Sequence, residues 1–300
     1  MSRISKKHKI IIIAIISLIV ILLLSTILFW RLNPSEISYG TLPFDKNKEK
    51  LYLNDIILWD TGAGSSTMYK ECENKIQYKR IPFCYVLVSD FFYKKRFQKL
   101  YYSSEYNLAD SLNIRNFYFL IPPKQPMEDF KYYNKGEIGF IGMDVIGKAN
   151  WIIDFDLGRI DILPQNKTYE TMASPQLIFE YKQNKEPRTQ LDFSVCQLEN
   201  ILIDAGANCE ITLLKSDIEI INEKCRPVDT LKGHSYGLHS TEPIIQNVYV
   251  YDSITINNIY FNNIQIIEGH RRIIGFGFFK RFDKVFLDTK EKRFCFYQTN

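Results

Sequence analysis

A short apolar stretch that runs directly into Asp-Thr-Gly-Ala constrains the fold of this chain more than any other part of its sequence. Residues 56–59, Ile-Ile-Leu-Trp, precede Asp60, and a related stretch, Ile-Leu-Ile-Asp-Ala-Gly-Ala, recurs at 201–207 with its carboxylate at Asp204. An apolar run that ends in a glycine-containing turn is typical of a buried strand, so each copy places one carboxylate where a core strand ends. A lone buried carboxylate is costly, whereas two that lie together can share one proton. The repeat therefore predicts a pair of aspartates.

Each copy is followed by a second matching element. Phe-Ile-Gly-Met-Asp-Val-Ile occupies 140–146 and places Gly142 after an apolar pair, and Ile-Ile-Gly-Phe-Gly-Phe-Phe occupies 273–279 with Gly275 in the same position. Glycines at these positions fit close packing of the second element against the aspartate loop. An internal repeat of this length favours two similar lobes over one undivided core.

Together these motifs resemble the active-site motif of aspartic proteases, in the Asp-Thr-Gly-Ala form of the retropepsin-like branch, with Gly142 and Gly275 in the family's Ile-Ile-Gly element. The resemblance covers nearly everything after about residue 45. It implies an all-β chain of two similar β-barrel lobes with an active cleft between them. The density of short apolar strands, with few helical stretches, independently indicates an all-β fold.

The resemblance implies that Asp60 and Asp204 are the catalytic pair of an aspartic endopeptidase. The ionised partner would take a proton from a water that attacks the scissile carbonyl, and the protonated partner would donate to the carbonyl oxygen or the leaving amine. This chemistry requires neither a metal nor a cofactor. The residues expected to support the two active loops are Thr61, Gly62, Ala63, Ala205, Gly206 and Ala207.

The second copy departs from the family at Ala205. The family has Thr or Ser after the aspartate, and the resemblance implies that its hydroxyl bonds to the loop of the opposite lobe; Thr61 keeps this group and Ala205 lacks it. One lost hydrogen bond is worth about 1 kcal/mol, so the lobe junction should be weakened without being abolished. The departure leaves open a catalytically weak or inactive peptide-binding module. A second alternative places the two lobes in separate homodimers, but the covalent duplication favours a monomer that holds both aspartates.

The amino-terminal region predicts a membrane anchor. Residues 10–30 carry no charge and are long enough to cross a bilayer as a helix. Four basic residues precede this run, which by the positive-inside bias predicts a cytoplasmic N-terminus and a protease-like region on the extracytoplasmic side, periplasmic or extracellular. A cleaved signal peptide is the rival interpretation, but the run exceeds the usual length and no small-residue cleavage site follows it.

These features divide the chain into six predicted segments. They are a cytoplasmic tail at 1–9, a transmembrane anchor at 10–30, a stalk and entry strand at 31–50, a first aspartic-protease-like lobe at 51–164, a connector at 165–175 and a second such lobe at 176–300.

Two segments are candidates for the family's flap, a hairpin folded over the cleft. The first is about 89–99, where Phe92 and Tyr93 stand among basic residues, and a solvated basic face is an equally good interpretation. The second contains His234, Ser235, Tyr236 and Gly237. A glycine there would permit a mobile tip.

The predicted partners are a peptide or protein substrate and, through the amino-terminal helix, a membrane. A net charge of +4 is too small to suggest a nucleic-acid partner. The four histidines show no metal-ligand spacing, so no metal is predicted. The six cysteines allow local bridges between Cys72 and Cys84 and between Cys209 and Cys225, and free buried thiols remain equally open.

Overall fold

The structure is a computed structural model that describes residues 6–69, 76–89, 95–109, 112–122, 137–167, 174–182, 185–235 and 244–298. Within the amino-terminal helix, the side chains of residues 6, 7, 23, 26, 27, 30 and 31 fall outside this description.

The described residues form four helices and 21 strands. Up to residue 163 these are α1 (Lys6–Leu32), β1 (Glu36–Ile37), β2 (Gly40–Pro43), β3 (Tyr52–Leu53), β4 (Ile57–Trp59), β5 (Thr67–Met68), β6 (Lys79–Ser89), β7 (Lys95–Ala109), β8 (Leu112–Ile121), β9 (Gly139–Ile141), α2 (Met143–Ile146), β10 (Asn150–Asp154) and β11 (Arg159–Leu163). From residue 177 they are β12 (Leu177–Glu180), β13 (Arg188–Phe193), β14 (Cys196–Asp204), β15 (Ile211–Leu213), α3 (Lys215–Asn222), β16 (Asp229–Ser235), β17 (Ile244–Ile256), β18 (Ile259–Glu268), β19 (Ile273–Gly275), α4 (Phe276–Phe279), β20 (Lys284–Asp288) and β21 (Arg293–Tyr297). The chain is mostly β, which confirms the predicted fold class.

Two of the three sheets repeat one topology. The first has the strand order β3-β4-β9-β5-β8-β7-β6, with β1 added to β8, and another has the order β13-β14-β19-β15-β18-β17-β16. The parallel pairs also correspond, because β4 pairs with β9 as β14 pairs with β19, and β5 with β8 as β15 with β18. The repeat in the sequence is therefore a repeat in topology.

The predicted closure of each lobe into a barrel is not confirmed. In the second half, a single residue pair, Phe193 with Ile256, joins β13 to β17. Among the described residues, no equivalent pairing joins β3 to β7 in the first half.

A third sheet is shared by the two halves, in the order β12-β21-β20-β10-β11-β2. Its centre is the antiparallel pair of β10 from the first half and β20 from the second, where Trp151 lies opposite Leu287. Trp151 also packs on Trp59, whose ring centroid is 5.8 Å away, and both side chains are fully buried. The strand that leads into Asp60 is therefore packed on the sheet that joins the halves.

The segment predicted as a stalk and entry strand, residues 31–50, contributes two strands to the fold. Its first strand, β1, pairs with β8, and its second, β2, pairs with β11 of the shared sheet. Ser35 and Ser38 add side-chain hydrogen bonds to β8 residues. The part of this segment that contains β1 and β2 therefore belongs to the folded body, because its backbone groups pair with two sheets.

The predicted membrane span is not confirmed: within the part of the chain that the structure describes, no helix has the combined length and apolarity needed to cross a membrane.

Five cysteines lie in the described residues, and none of these five forms a disulfide. Cys209 lies under the second aspartate loop, where Thr212 bonds to its sulfur, whereas Cys225 follows α3. The suggested bridge between these two cysteines is therefore not formed. Cys72, the suggested partner of Cys84, lies outside the described residues.

Candidate active site

The two motif aspartates lie side by side. Asp60 directly follows β4 and Asp204 ends β14, and their carboxyl groups are hydrogen-bonded to each other. Both residues remain partly accessible, although the strands that lead into them are buried. The structure thus brings together two carboxylates from opposite halves of the chain at an accessible point.

A glycine in each loop makes room for the opposite carboxylate. A Cβ atom on Gly62 would lie 2.2 Å from Cγ of Asp204, and one on Gly206 would lie 2.5 Å from Cγ of Asp60. No side chain can occupy such a space without moving the pair apart. Gly62 and Gly206 are thus required by the close approach of the two aspartates.

Each aspartate is also held by its own loop. The Ala63 N–H donates to Oδ1 of Asp60, and the Gly206 N–H donates to Oδ1 of Asp204, both at 3.0 Å. The backbone N–H of Ala207 donates to the Asp204 carbonyl oxygen at 3.1 Å. These bonds orient the carboxylates toward each other.

The partner-strand glycines lie against these loops. A Cβ on Gly142 would lie 2.6 Å from the Ala63 carbonyl oxygen, and one on Gly275 would lie 2.8 Å from that of Ala207. The parallel pairing of β4 with β9 and of β14 with β19 produces this contact, since it aligns the ends of the paired strands.

Thr61 connects the two halves directly beneath the aspartates. Its hydroxyl donates to the Ile203 carbonyl oxygen at 2.8 Å and accepts from the Ala205 N–H at 2.9 Å, and the residue is fully buried. Ala205 occupies the corresponding position in the second half and is also fully buried, but it has no hydroxyl to return these bonds. At this junction, therefore, only the first half supplies a side-chain hydroxyl that bonds to the other half.

The environment of the pair favours the protonated carboxyl. Burial raises the pKa of Asp60 well above its usual value, and the charge of Asp204 and the bond between the carboxyls raise it further. Burial is also the largest cause of the raised pKa of Asp204. Lys50 counteracts the rise at both residues through its positive charge. A pair with both pKa values raised is suited to keep one proton between them.

Sequence reasoning missed a second carboxylate that organises the first loop. Asp144, at the start of α2, accepts from the Ser66 N–H at 2.9 Å and from the Ser66 hydroxyl at 2.8 Å, and Ser66 in turn accepts from the Gly142 N–H. Burial raises the pKa of Asp144 to about 6. Gly277 stands at the corresponding place in the second half, two residues after Gly275. The signal in the sequence was the acidic residue two positions after Gly142.

A group that we call the Tyr52 cluster lies apart from the main core. It consists of Tyr52, Leu58, Tyr69 and Phe140, with Ala63 packed on it. The buried carboxylate of Glu137 accepts from the Tyr52 hydroxyl at 2.9 Å and from the Tyr69 hydroxyl at 3.0 Å. Burial raises the pKa of Glu137. No pattern in the sequence predicted this cluster, because its residues are brought together only by strand pairing in the sheet.

The flap candidates are only partly described. Phe92 and Tyr93 lie outside the described residues, and the strands on either side, β6 and β7, pair as an antiparallel hairpin with Leu87 opposite Phe97. His234 and Ser235 end β16 and lie opposite Ile245 and Ile244 of β17. Tyr236 and Gly237 lie outside the described residues.

Within the described residues, no group of three or more His, Cys, Asp or Glu side chains is arranged to hold a metal ion.

Comparison with known proteins gave similarities among solved structures alone. No protein-family model and no curated protein sequence matches the chain. Among solved structures, the chain is similar to a retropepsin-like aspartic protease from Rickettsia conorii, at 18% identity and a TM-score of 0.30, over 40% of this chain and 89% of that one. A similarity at this score carries no argument about function.

We expect Thr61→Val to destabilise the protein by about 1–3 kcal/mol, because the Ile203 carbonyl and the Ala205 N–H would both lose their partner in a buried place. Thr61→Ser keeps the hydroxyl and is the matched control. Urea unfolding of both variants beside the parent measures the difference in the free energy of unfolding. Equal stability of the valine and serine variants would show that the hydroxyl does not hold the halves together.

The raised pKa values predict how stability depends on pH. A carboxyl whose folded-state pKa is raised stabilises the fold below its usual pKa, and this stabilisation is lost as pH rises through the folded value. Asp60→Asn removes one buried charge, so its melting temperature should exceed that of the parent by a margin that grows from acidic to neutral pH. Asp252→Asn, which removes an exposed carboxylate on β17, controls for net charge. A margin for Asp60→Asn that is constant with pH would contradict the prediction.

Proposed function

We propose that this chain is an aspartic endopeptidase that hydrolyses peptide bonds with a water activated by Asp60 and Asp204. The observation that carries the proposal is the hydrogen-bonded contact of these two partly accessible carboxyls, each with a raised pKa. Such a pair supplies an acid and a base at one point without any further group.

In the proposed reaction, the ionised carboxyl takes one proton from a water molecule, and the water oxygen forms a bond to the scissile carbonyl carbon. The protonated carboxyl donates its proton to the carbonyl oxygen, which gives a neutral tetrahedral diol. The carboxyl that took the water proton then donates it to the amide nitrogen, and the other carboxylate takes a proton from a diol hydroxyl. The carbon–nitrogen bond breaks, which releases an acid and an amine and restores the starting protonation of the pair. Both aspartates belong to one chain, so a monomer contains the complete pair.

The second candidate is a peptide-binding module with the same cleft and no turnover. The fully buried Ala205 favours it, because the hydroxyl that would return the bonds of Thr61 is missing beneath Asp204. Proton sharing, however, needs only the two carboxyls, and these are in contact.

The first test is cleavage of a diverse peptide library by the full-length chain from acidic to neutral pH. Asp60→Asn and Asp204→Asn should each lower the rate by at least about 100-fold, because each removes an acid or base from the reaction. Asp252→Asn is the control. A folded parent that binds peptides and cleaves none would support the binding module, and loss of activity in only one aspartate variant would refute the shared pair.

An anchored location is the second part of the proposal. Its support is the uncharged sequence at 10–30 and the exposure of apolar α1 side chains such as Ile10, which is 67% exposed. Such side chains would be covered by lipid. Full-length protein should stay with membranes after an alkaline carbonate wash, and a chain without residues 1–31 should be released. Release of both forms would refute the anchor.

A further inference from the structure

The residue opposite each aspartate can be identified from strand register. In the first half, Tyr52 lies opposite Leu58, and the Trp59 N–H donates to the Leu51 carbonyl oxygen at 2.9 Å. Extending this antiparallel register by one residue places Lys50 opposite Asp60.

The second half has the same arrangement with the opposite charge. Arg188 lies opposite Leu202, and the Ile203 N–H donates to the Pro187 carbonyl oxygen at 2.8 Å. The same extension places Glu186 opposite Asp204. The repeat therefore aligns a lysine with one aspartate and a glutamate with the other in the extended register.

The two charges differ in how they are paired. Glu186 forms an ion pair with Arg188 at 2.7 Å, so its charge is largely compensated. Lys50 is half-buried, and no described carboxylate forms an ion pair with it. The charged residues that precede Lys50 in the chain have other partners. Lys48 forms an ion pair with Asp55, and Glu49 accepts a hydrogen bond from Asn208 of the second aspartate loop.

Lys50 lies on the side of the sheet that carries the Tyr52 cluster. Successive strand residues alternate between the two faces, so Lys50 shares a face with Tyr52, while Leu51 between them points into the main core. The positive charge of Lys50 also lowers the pKa of Asp60, Asp204 and Glu137 against the effect of burial. Because the position of the second half that corresponds to Lys50 carries Glu186, a substrate at the aspartates would meet this cation on the first-half side only.

We propose that Lys50 selects substrates with an acidic side chain close to the scissile bond on the first-half side, and thereby sets the direction in which the peptide lies. This inference rests on the proposed peptidase function. A half-buried cation that forms no ion pair with a described carboxylate binds an acidic side chain better than an exposed cation does, because less of its field is screened by water. The compensated Glu186–Arg188 pair gives no matching preference on the other side.

The test uses peptides that share one cleavable core and carry Glu, Gln or Lys at each of the positions flanking the scissile bond. Cleavage by the full-length protein at pH 6 gives kcat/KM, and binding to the Asp60→Asn variant gives affinity without turnover. We expect Glu to be preferred over Gln by about 3- to 10-fold on one side of the bond only. High salt should reduce this preference.

Lys50→Gln should remove the preference and Lys50→Glu should turn it toward Lys, whereas Lys48→Gln, which removes the same charge two residues away, should keep it. Equal use of Glu and Gln by the parent, or an unchanged preference in Lys50→Gln, would overturn the inference while leaving the peptidase intact. If the folded protein neither cleaves nor binds any peptide, the proposed function fails and the inference falls with it.

Discussion

Contact between the carboxyls of Asp60 and Asp204 is the constraint on which the rest of the structure depends. Two acidic groups can lie this close only when they share a proton, and only when both surrounding loops leave them space. Gly62 and Gly206 provide that space, since a Cβ on either would collide with the opposite carboxyl. The hydroxyl of Thr61 then fixes the distance between the halves by bonding to two backbone groups of the other loop.

The two halves share a topology but have diverged around this contact. Thr61 has its counterpart in Ala205, and the Asp144 that holds the first loop has its counterpart in Gly277. Lys50 and Glu186, which stand at corresponding positions of the two halves, also differ, because they carry opposite charges. A homodimer could not differ in this way, because one sequence would supply both sides. Covalent duplication therefore permits the two sides of the aspartate pair to carry different residues.

The halves are also joined outside the active loops. The shared sheet places β10 against β20, and the segment before the first lobe adds β1 and β2 to two sheets. The hydroxyl of Thr61 is therefore one of several connections that hold the two halves together. The relative position of the aspartates is supported by a continuous core that includes Trp59 and Trp151, so the missing hydroxyl at Ala205 weakens one contact among many.

The sequence by itself determined the β class, the duplication and the two aspartates. An apolar run that ends in Asp-x-Gly is a local pattern, so it can be recognised without knowing which other residues it contacts. It could not give the bounds of β1 and β2 within residues 31–50, because these strands are too short to show a period of two and pair only with sheets formed by distant residues. Only the tertiary structure decided that Asp144 holds Ser66, that Glu137 meets two tyrosines, and that the strand register aligns Lys50 and Glu186 with the two aspartates. These residues are far apart in the chain or lie opposite each other on paired strands. The register of strand pairing is not encoded by any spacing in the sequence.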